Sequence, residues 1–288
     1  PQCFKRDTIA HAYELALRDP YFKTTDDCGT VRKYLPNESI YVVEGENFNM
    51  KLTYLEDLFL LDKLFQLKSL QGKQDKLTEV ANLSIEKKIV VVFGGSYGIG
   101  GEIVNILTSL NGRVYSFSRS ENGIDVTNKQ KVQEALQSVY EKEGRIDAIV
   151  NTAGVLIKEP LCSMSDQSIQ TSIDVNLLGV VNVAQSAFKY LKETHGSLLF
   201  YTSSSYTRGR MMYSLYSATK AAIVNFTQAI AEEWGDLHIR VNCINPERTK
   251  TPMRIQNFGN EPDDTLLPVR DVAIVSINTI FSDATGEI

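Results

Sequence analysis

The sequence predicts an α/β protein built on a doubly wound parallel sheet, in which helices cover both faces. Three observations predict this architecture. Short, continuous apolar runs recur between residues 89 and 244, stretches with helical spacing of apolar residues separate them, and a glycine-rich turn follows the first run. Apolar strands without alternation are buried on both faces, and strands that alternate with helices form parallel sheets.

The elements follow one another in strand–helix order, which makes residues 86–288 one α/β domain. The strands are predicted from apolar runs that are too short for helices: Ile89–Phe93, Val114–Phe117, Ile146–Val150, Ser197–Tyr201 and Ile239–Ile244. The helices are predicted from apolar residues three or four positions apart: Gly98–Leu110, Lys129–Tyr140, Gln167–Leu191 and Tyr213–Glu233.

Residues 1–67 have a different pattern, with a predicted helix at Asp7–Leu17, a strand at Ile40–Val43 and a closing helix at Leu55–Leu67. A segment of this size with one strand makes a poor independent core. We therefore predict that it is the C-terminal part of a larger α/β domain. Residues 68–85, rich in Lys, Gln and Glu, are predicted to be a linker. The chain begins without methionine and stops within a turn, so we expect it to be cut at both ends.

Composition and charge disfavour several classes of function. With 43% apolar and 23% charged residues, the chain has the balance of a soluble globular protein. The net charge of -5 gives no electrostatic reason to bind nucleic acid or an anionic membrane, and no apolar run approaches the ~20 residues of a membrane helix. The four cysteines are too far apart for a metal site or a redox pair, which favours a reduced, cytoplasmic protein without a metal.

The turn after the first strand has glycines spaced as a dinucleotide site needs them. Gly94, Gly98 and Gly100 follow the pattern G-x-x-x-G-x-G. Glycines permit a tight reversal and let backbone amides and a helix N-terminus approach a pyrophosphate without obstruction by Cβ atoms. An ordinary strand–helix corner is the alternative interpretation. The other residues of this turn predicted to contact the cofactor are Ser96, Tyr97 and Ile99.

The second strand is followed by Arg119. At this position an NAD enzyme usually has an acidic residue, and an NADP enzyme a cation for the 2′-phosphate. Arg119 therefore predicts NADP(H), with a solvated surface arginine as the alternative. Asp125 and Val126 follow in a position to flank the adenine. The carboxyl edge of the sheet, where such folds bind ligands, also receives Asn151, Ala153 and Gly154.

Candidate catalytic residues lie in the second half of this domain. Tyr216 and Lys220 are four positions apart in a predicted helix, so both side chains share one face. A tyrosine with a pKa near 10 is a poor acid at neutral pH, and a neighbouring ammonium lowers this pKa by favouring the phenolate. Ser203, at the end of a strand, is placed to hydrogen-bond a reacting carbonyl. Asn176 offers a polar side chain within a long helix that could hold a water for proton relay.

These motifs resemble those of the short-chain dehydrogenases/reductases over residues 86–288. The resemblance implies a Rossmann-type fold, bound NADP(H), homo-oligomers, and a catalytic tetrad made of the four candidate residues just named. It also places Pro246 and Thr251 near the nicotinamide. Three positions depart from the family pattern and bear on cofactor affinity and pocket shape rather than on the reaction class: Phe93, Thr152 and Glu247.

The N-terminal segment resembles the C-terminal third of the sugar-phosphate cytidylyltransferases, through short motifs between Pro1 and Leu58. In that family Thr25 and Asp26 would face an alditol phosphate, and Lys51 would neutralise phosphate charge. The glycine-rich nucleotide loop of the family is absent from the sequence, so this fragment is not expected to make a CDP-sugar by itself. A structural α/β cap is the alternative.

The pairing of the two segments resembles the bifunctional ribulose-5-phosphate reductases/CDP-ribitol pyrophosphorylases of bacterial capsule synthesis. This resemblance implies a sugar-phosphate substrate, with ribulose 5-phosphate reduced to ribitol 5-phosphate. Cations expected to hold the phosphate, or else to be solvated surface charges, are Arg208, Arg210, Arg248 and Lys250. Arg254 belongs to the same group of cations after Pro246 that flanks the expected pocket.

Two other functions stay open at this point. The same tetrad would serve a reductase for another carbonyl, such as a ketoacyl thioester. A non-catalytic, reductase-like module that supports the transferase is the second alternative. The intact tetrad argues against that module, because a scaffold needs none of the four side chains.

Overall fold

The computed structural model describes residues 2–43, 45, 50–54, 56–58, 60–61 and 85–288. The chain divides into two compact units, Pro1–Leu70 and Gln71–Ile288. Apart from Ile85, the predicted linker at residues 68–85 lies outside the described residues. In the described part of the chain, no helix is both long and apolar enough to cross a membrane.

Among its described residues the N-terminal unit forms the helices α1 (Arg6–Ala16) and α2 (Asp27–Tyr34). Helix α1 was predicted from the sequence to within one residue at each end, whereas α2 was missed. Residues 56–58 and 60–61 are helical, within the predicted closing helix, and the remainder of that prediction lies outside the described residues.

The predicted strand Ile40–Val43 is wrong. These residues have no regular structure, and the side chains of Tyr41, Val42 and Val43 are 84%, 95% and 86% exposed. A strand is stabilised by hydrogen bonds to a neighbouring strand, and the described residues of this unit form none. The apolar run alone therefore did not determine the local structure.

The C-terminal unit is built on five parallel strands: β1 (Ile89–Phe93), β2 (Arg113–Phe117), β3 (Ala148–Asn151), β4 (Ser197–Tyr201) and β5 (Arg240–Ile244). Their order across the sheet is β2-β1-β3-β4-β5, and all neighbouring pairs are parallel. The prediction of a doubly wound parallel sheet is therefore confirmed, with each strand found within two residues of its predicted ends.

Helices cover both faces of the sheet, as the prediction required. In chain order they are α3 (Gly98–Ser109), α4 (Arg119–Asn122), α5 (Lys129–Glu143), α6 (Asp166–Ile173), α7 (Gly179–Thr194), α8 (Ser214–Glu233), α9 (Pro252–Phe258) and α10 (Val269–Ile280). Helices α6 and α7 are joined by a π-helical segment, Asp174–Leu178. The predicted single helix Gln167–Leu191 is thus interrupted by a π-bulge.

The side chains of β1 divide the apolar core into two layers. Val91 and Phe93 pack with buried residues of α5, α7 and α8 on one face, whereas Val90 and Val92 pack with α3 and α10 on the other. Successive side chains of a strand point to opposite faces, so an all-apolar strand fills both layers. This burial fixes the carboxyl ends of the strands, where the candidate site lies.

Candidate active site

A cleft runs along the carboxyl ends of the strands. The strand order reverses between β1 and β3, and sheets of this type bind ligands at such a reversal. The cleft brings together nearly all residues predicted to bind a cofactor, together with Tyr216 and Lys220: Gly94, Ser96, Tyr97, Gly98, Ile99, Gly100, Arg119, Asp125, Val126, Ala153, Gly154, Pro246 and Thr251. Asn151 is the exception, since it is buried at the end of β3 and does not line the cleft.

The glycine turn between β1 and α3 has no room for side chains. Gly94 and Gly98 have φ angles of +81° and +61°, which L-residues rarely adopt. A Cβ atom on Gly100 would clash with the Gly94 carbonyl oxygen and with Thr152 Oγ1. The N-terminus of α3 carries no side-chain cap, so its amides are free for an anion. The turn therefore fits the pyrophosphate of a dinucleotide.

Two of the three departures from the family pattern have a structural explanation in this turn. Phe93 is fully buried, with its ring centroid 5.8 Å from that of Phe117. Thr152 Oγ1 lies 3.0 Å from both the Phe93 and the Gly94 carbonyl oxygens, to either of which it donates. Thr152 thus supplies a hydroxyl that hydrogen-bonds the backbone of the turn. Phe93 has no hydroxyl for this purpose.

The adenosine end of the cleft is polar. Arg119 is the first residue of α4, and its neighbours Ser118 and Ser120 also line the cleft. Ser120 Oγ donates to Ser96 Oγ at 3.3 Å, which links α4 to the glycine turn. The sequence prediction missed these two serines, although their position beside Arg119 could have identified them. Hydroxyls and a guanidinium are suitable partners for a phosphate.

Asp125, predicted to flank the adenine, also has a local structural role. Its Oδ1 accepts hydrogen bonds from Thr127 N at 2.9 Å and from Thr127 Oγ1 at 2.8 Å. These bonds fix the turn that leads into α5, and the carboxylate still borders the cleft.

Lys220 lies one turn after Tyr216 on α8, with Nζ 5.5 Å from the centroid of the tyrosine ring. The ammonium is buried and donates to the Tyr201 carbonyl oxygen at 2.8 Å. Burial lowers the pKa of Lys220 to about 8, because a charged ammonium is poorly solvated there. Lys220 is therefore a cation at pH 7 that can lose its proton in mildly alkaline solution.

The pKa of Tyr216 differs from the sequence prediction, which expected a neighbouring ammonium to lower it. Burial raises the pKa of this tyrosine, and the Ser203 hydroxyl and the Arg254 charge oppose the rise. Lys220 is not among the groups that lower this pKa, and its ammonium donates to the Tyr201 carbonyl oxygen. Tyr216 therefore keeps its proton at neutral pH, which is the state that a proton donor requires.

Asn176 lies in the π-helical segment and is fully buried. Its Oδ1 accepts from Val155 N and its Nδ2 donates to the Val155 carbonyl, both at 2.9 Å. The side chain thus holds the loop after β3, next to Gly154. Its role in holding a water for proton relay stays a prediction.

The structure does not bring the predicted phosphate-binding cations into the cleft. Arg208, Arg210, Arg248 and Lys250 are exposed, and none of them lines it. Lys250 forms an ion pair with Asp263 at 2.8 Å, which neutralises its charge. Sequence spacing indicated only that these residues flank the pocket, and their side chains lie outside it.

The candidate transferase residues Thr25, Asp26 and Lys51 are all exposed. Asp26 is the N-cap of α2, where its Oδ1 accepts from Gly29 N at 2.6 Å. This is a common structural use of aspartate, so a substrate-facing role for the three residues stays a prediction. Across the described ranges, no group of His, Cys, Asp and Glu side chains could hold a metal ion.

Comparisons with known proteins agree with this geometry. The family model for short chain dehydrogenases matches residues 88–262. The bifunctional ribulose 5-phosphate reductase/CDP-ribitol pyrophosphorylase of Haemophilus influenzae is 47% identical over 289 residues, covering 100% of this chain but only 60% of that protein. The 3-oxoacyl-[acyl-carrier-protein] reductase of Thermotoga maritima is 28% identical over 191 residues, covering 59% of this chain and 78% of the enzyme.

Among solved structures, the crystal structure of Cj0485 dehydrogenase superposes with a TM-score of 0.67 and 26% identity, covering 72% of this chain and 94% of its own. The family model spans more than half of the sequence, including the glycine turn, Ser203, Tyr216 and Lys220. The chain therefore belongs to the short-chain dehydrogenase family.

Proposed function

We propose that the chain is an NADP-dependent reductase that converts a ketose phosphate, ribulose 5-phosphate, into ribitol 5-phosphate. The observation that carries this proposal is the 47% identity to the Haemophilus influenzae bifunctional enzyme, which extends over the whole chain. The chain spans only 60% of that relative's length, so the relative's second activity does not follow from the match. The cleft supports the reductase half of the proposal independently.

The proposed cofactor is NADP(H). Its pyrophosphate would lie on the glycine turn at the N-terminus of α3, and its 2′-phosphate beside Arg119, Ser118 and Ser120. When bound, NADPH supplies a hydride to the substrate carbonyl carbon. Pro246, Thr251 and Lys220, at the other end of the cleft, would hold the nicotinamide ribonucleotide.

The side chains of the site supply the proton and the orientation. Ser203 would hydrogen-bond the C2 carbonyl oxygen of the ketose, and Tyr216 would donate its proton to that oxygen as the C2 carbon accepts hydride. The product is an alcohol at C2. Tyr216 is protonated at neutral pH, and the Lys220 ammonium, 5.5 Å from the centroid of its ring, would stabilise the phenolate that proton transfer leaves.

For the whole chain we propose the domain arrangement suggested by the sequence. Residues 1–67 would be part of a ribitol-phosphate cytidylyltransferase domain with Thr25, Asp26 and Lys51 at its substrate, residues 68–85 a linker, and residues 86–288 the reductase. Four free cysteines support a reducing, cytoplasmic location. We also propose that the protein is a homo-oligomer.

The experiment is NADPH oxidation with three carbonyl substrates: ribulose 5-phosphate, free ribulose and acetoacetyl-CoA. We expect rapid oxidation with ribulose 5-phosphate, formation of ribitol 5-phosphate, and slow or absent turnover of the other two. Preference for the thioester would replace the proposal with a ketoacyl reductase. Absence of oxidation with every substrate, from protein that binds NADPH, would favour a non-catalytic module.

A further inference from the structure

Charged side chains lie at and near Phe258, the last residue of α9. The Phe258 cluster, as we call it, consists of Phe258 itself, of Lys158 and Arg254 over its ring, of Glu261 paired with Arg254, and of Arg248, whose charge acts on Glu261. The Arg254 guanidinium lies over the Phe258 ring at 4.2 Å from the centroid, and Lys158 Nζ lies at 4.6 Å from the same centroid. Lys158 Nζ also donates to the Asn257 carbonyl oxygen at 3.3 Å, which ties it to α9.

Arg254 is held more firmly than the other cations of the cluster. Its Nε and Nη2 donate to the two carboxylate oxygens of Glu261 at 2.6 and 2.8 Å, and its side chain is only 21% exposed. Within residues 85–288, Nη1 has no hydrogen-bond partner. A bidentate guanidinium stacked on a ring is oriented in advance, so it loses little entropy on binding an anion.

The cluster is next to the catalytic tyrosine. The Tyr213 ring centroid lies 6.0 Å from that of Phe258 and 6.1 Å from that of Tyr216. The Arg254 charge also acts on Tyr216, since with the Ser203 hydroxyl it opposes the rise in pKa that burial causes there. In a pentulose phosphate the phosphate is attached at the end opposite the C2 carbonyl. A cation that binds this phosphate is therefore expected near Tyr216 but not in contact with its hydroxyl.

The charge of the cluster matches a dianion. Glu261 is its one carboxylate, and its pKa is lowered by the hydrogen bond from Arg254 and by the charges of Arg254 and Arg248. Three cations and one carboxylate leave an excess of two positive charges. The nearby Lys250 and Asp263 form their own ion pair at 2.8 Å and add no net charge.

We propose that Arg254 binds the phosphate of the substrate and makes the enzyme select phosphorylated over free ketose, with Arg248 and Lys158 completing the site. This inference rests on the proposed function. It selects Arg254 from the cations after Pro246 that the sequence placed beside the pocket. Glu261 orients Arg254 and does not itself contact the ketose.

The test measures KM and kcat for ribulose 5-phosphate and for free ribulose, at saturating NADPH, with inorganic phosphate as a competing inhibitor. Arg254→Gln should raise KM for the phosphorylated sugar by at least about tenfold and weaken inhibition by phosphate similarly, because one charge-assisted contact is lost. The KM for free ribulose should change much less, because free ribulose carries no phosphate for Arg254 to bind. Arg254→Lys should restore part of the affinity.

Two further variants separate binding from structure. Arg113→Gln removes an arginine paired with Glu143 at the amino end of β2, far from the carboxyl-edge cleft, and should match the wild type. Glu261→Gln breaks the same ion pair as Arg254→Gln but keeps the cation, so it should lose clearly less of the preference for the phosphorylated ketose than Arg254→Gln does. Equal loss of preference in Glu261→Gln and Arg254→Gln would overturn the inference, since the pair would then be structural.

The result for the wild type distinguishes failure of the proposed function from failure of the assignment of Arg254. Wild-type enzyme that does not reduce ribulose 5-phosphate contradicts the proposed function. Wild-type enzyme that prefers ribulose 5-phosphate, together with an Arg254→Gln variant that keeps that preference and its sensitivity to phosphate, contradicts only the assignment of Arg254.

Discussion

Burial raises the pKa of Tyr216 and lowers that of Lys220, so it favours the neutral form of each side chain. This holds although the two residues are one helical turn apart. The sequence spacing predicted their proximity but not this result, because a pKa depends on solvation and on where a long side chain points. Lys220 Nζ is directed to the Tyr201 carbonyl, a contact across eighteen intervening residues that no local pattern reveals. Arg254 was placed beside the pocket with Arg248 and Lys250, but the sequence did not single it out, since its contacts depend on how the chain folds after β5.

Replacement of the proton donor is the first prediction at this scale. Tyr216→Phe should leave NADPH affinity nearly intact while lowering turnover on the order of 10² or more, because it removes one hydroxyl and little contact area. Fluorescence titration with NADPH and steady-state kinetics measure the two quantities. Turnover close to that of the wild type would remove Tyr216 from the mechanism.

Lys220 should reduce the stability of the fold at neutral pH. Its folded-state pKa of about 8 lies below the ordinary 10.5, so the unfolded chain binds more protons between these values and stability rises with pH across them. Below pH 8 the full penalty applies, at most roughly 3 to 4 kcal/mol from about 1.4 kcal/mol per unit of pKa. Lys220→Met removes the penalty but also loses the hydrogen bond to Tyr201.

We therefore expect Lys220→Met to be inactive yet more stable than the wild type at pH 7, by on the order of 1 kcal/mol. The difference should shrink as the pH is raised to 10. Urea unfolding at the two pH values measures it. A difference that stays constant between pH 7 and pH 10 would show that Lys220 does not titrate in this range.

Cofactor choice is tested at Arg119. Arg119→Asp should shift preference from NADPH towards NADH, because it places a repulsive charge beside the 2′-phosphate. The ratio of kcat/KM for the two cofactors is the measurement. A wild type that already prefers NADH would show that the interpretation of Arg119 is incorrect.

At the scale of elements, the sequence predicted the strands, because burial on both faces of the sheet requires continuous apolar runs. The five strands were found because β1 to β5 are continuous apolar runs, and that signal does not depend on partners far away in the chain. The π-bulge at Asp174–Leu178 was missed because one extra residue hardly disturbs the apolar spacing of the flanking helices. Ile40–Val43 was predicted wrongly because its apolar run has no neighbouring strand among the described residues.

The glycine turn offers a matched pair of substitutions at this scale. Gly100→Ala would drive a Cβ atom into the Gly94 carbonyl and Thr152 Oγ1, so it should displace the turn and weaken NADPH binding at least tenfold. At the next position, a Cβ on Gly101 would meet its nearest atoms at 3.4 Å, which is ordinary contact. Gly101→Ala should therefore bind NADPH normally and be slightly more stable, since alanine favours helices. Equal affinity in both variants would contradict the close approach inferred for Gly100.

At the scale of the whole molecule, the cleft of the short-chain dehydrogenase unit does not by itself identify the substrate. The fold, the glycine turn and the catalytic side chains serve many carbonyl reductions, and the relatives include both a ribulose 5-phosphate reductase and an oxoacyl reductase. Sequence motifs predicted the reaction class because hydride transfer needs the same few groups in every member. We propose that the choice of substrate depends on the Phe258 cluster, which belongs to no family motif.

The central claim is that hydride passes to C2 of ribulose 5-phosphate within this cleft. The most direct measurement uses NADPH carrying deuterium at the transferable C4 position, with the product examined by mass spectrometry and NMR. The account predicts ribitol 5-phosphate with one deuterium at C2, and no labelled product from Tyr216→Phe on the same timescale. Ribitol 5-phosphate without deuterium at C2, or labelled product formed equally well by Tyr216→Phe, would contradict it.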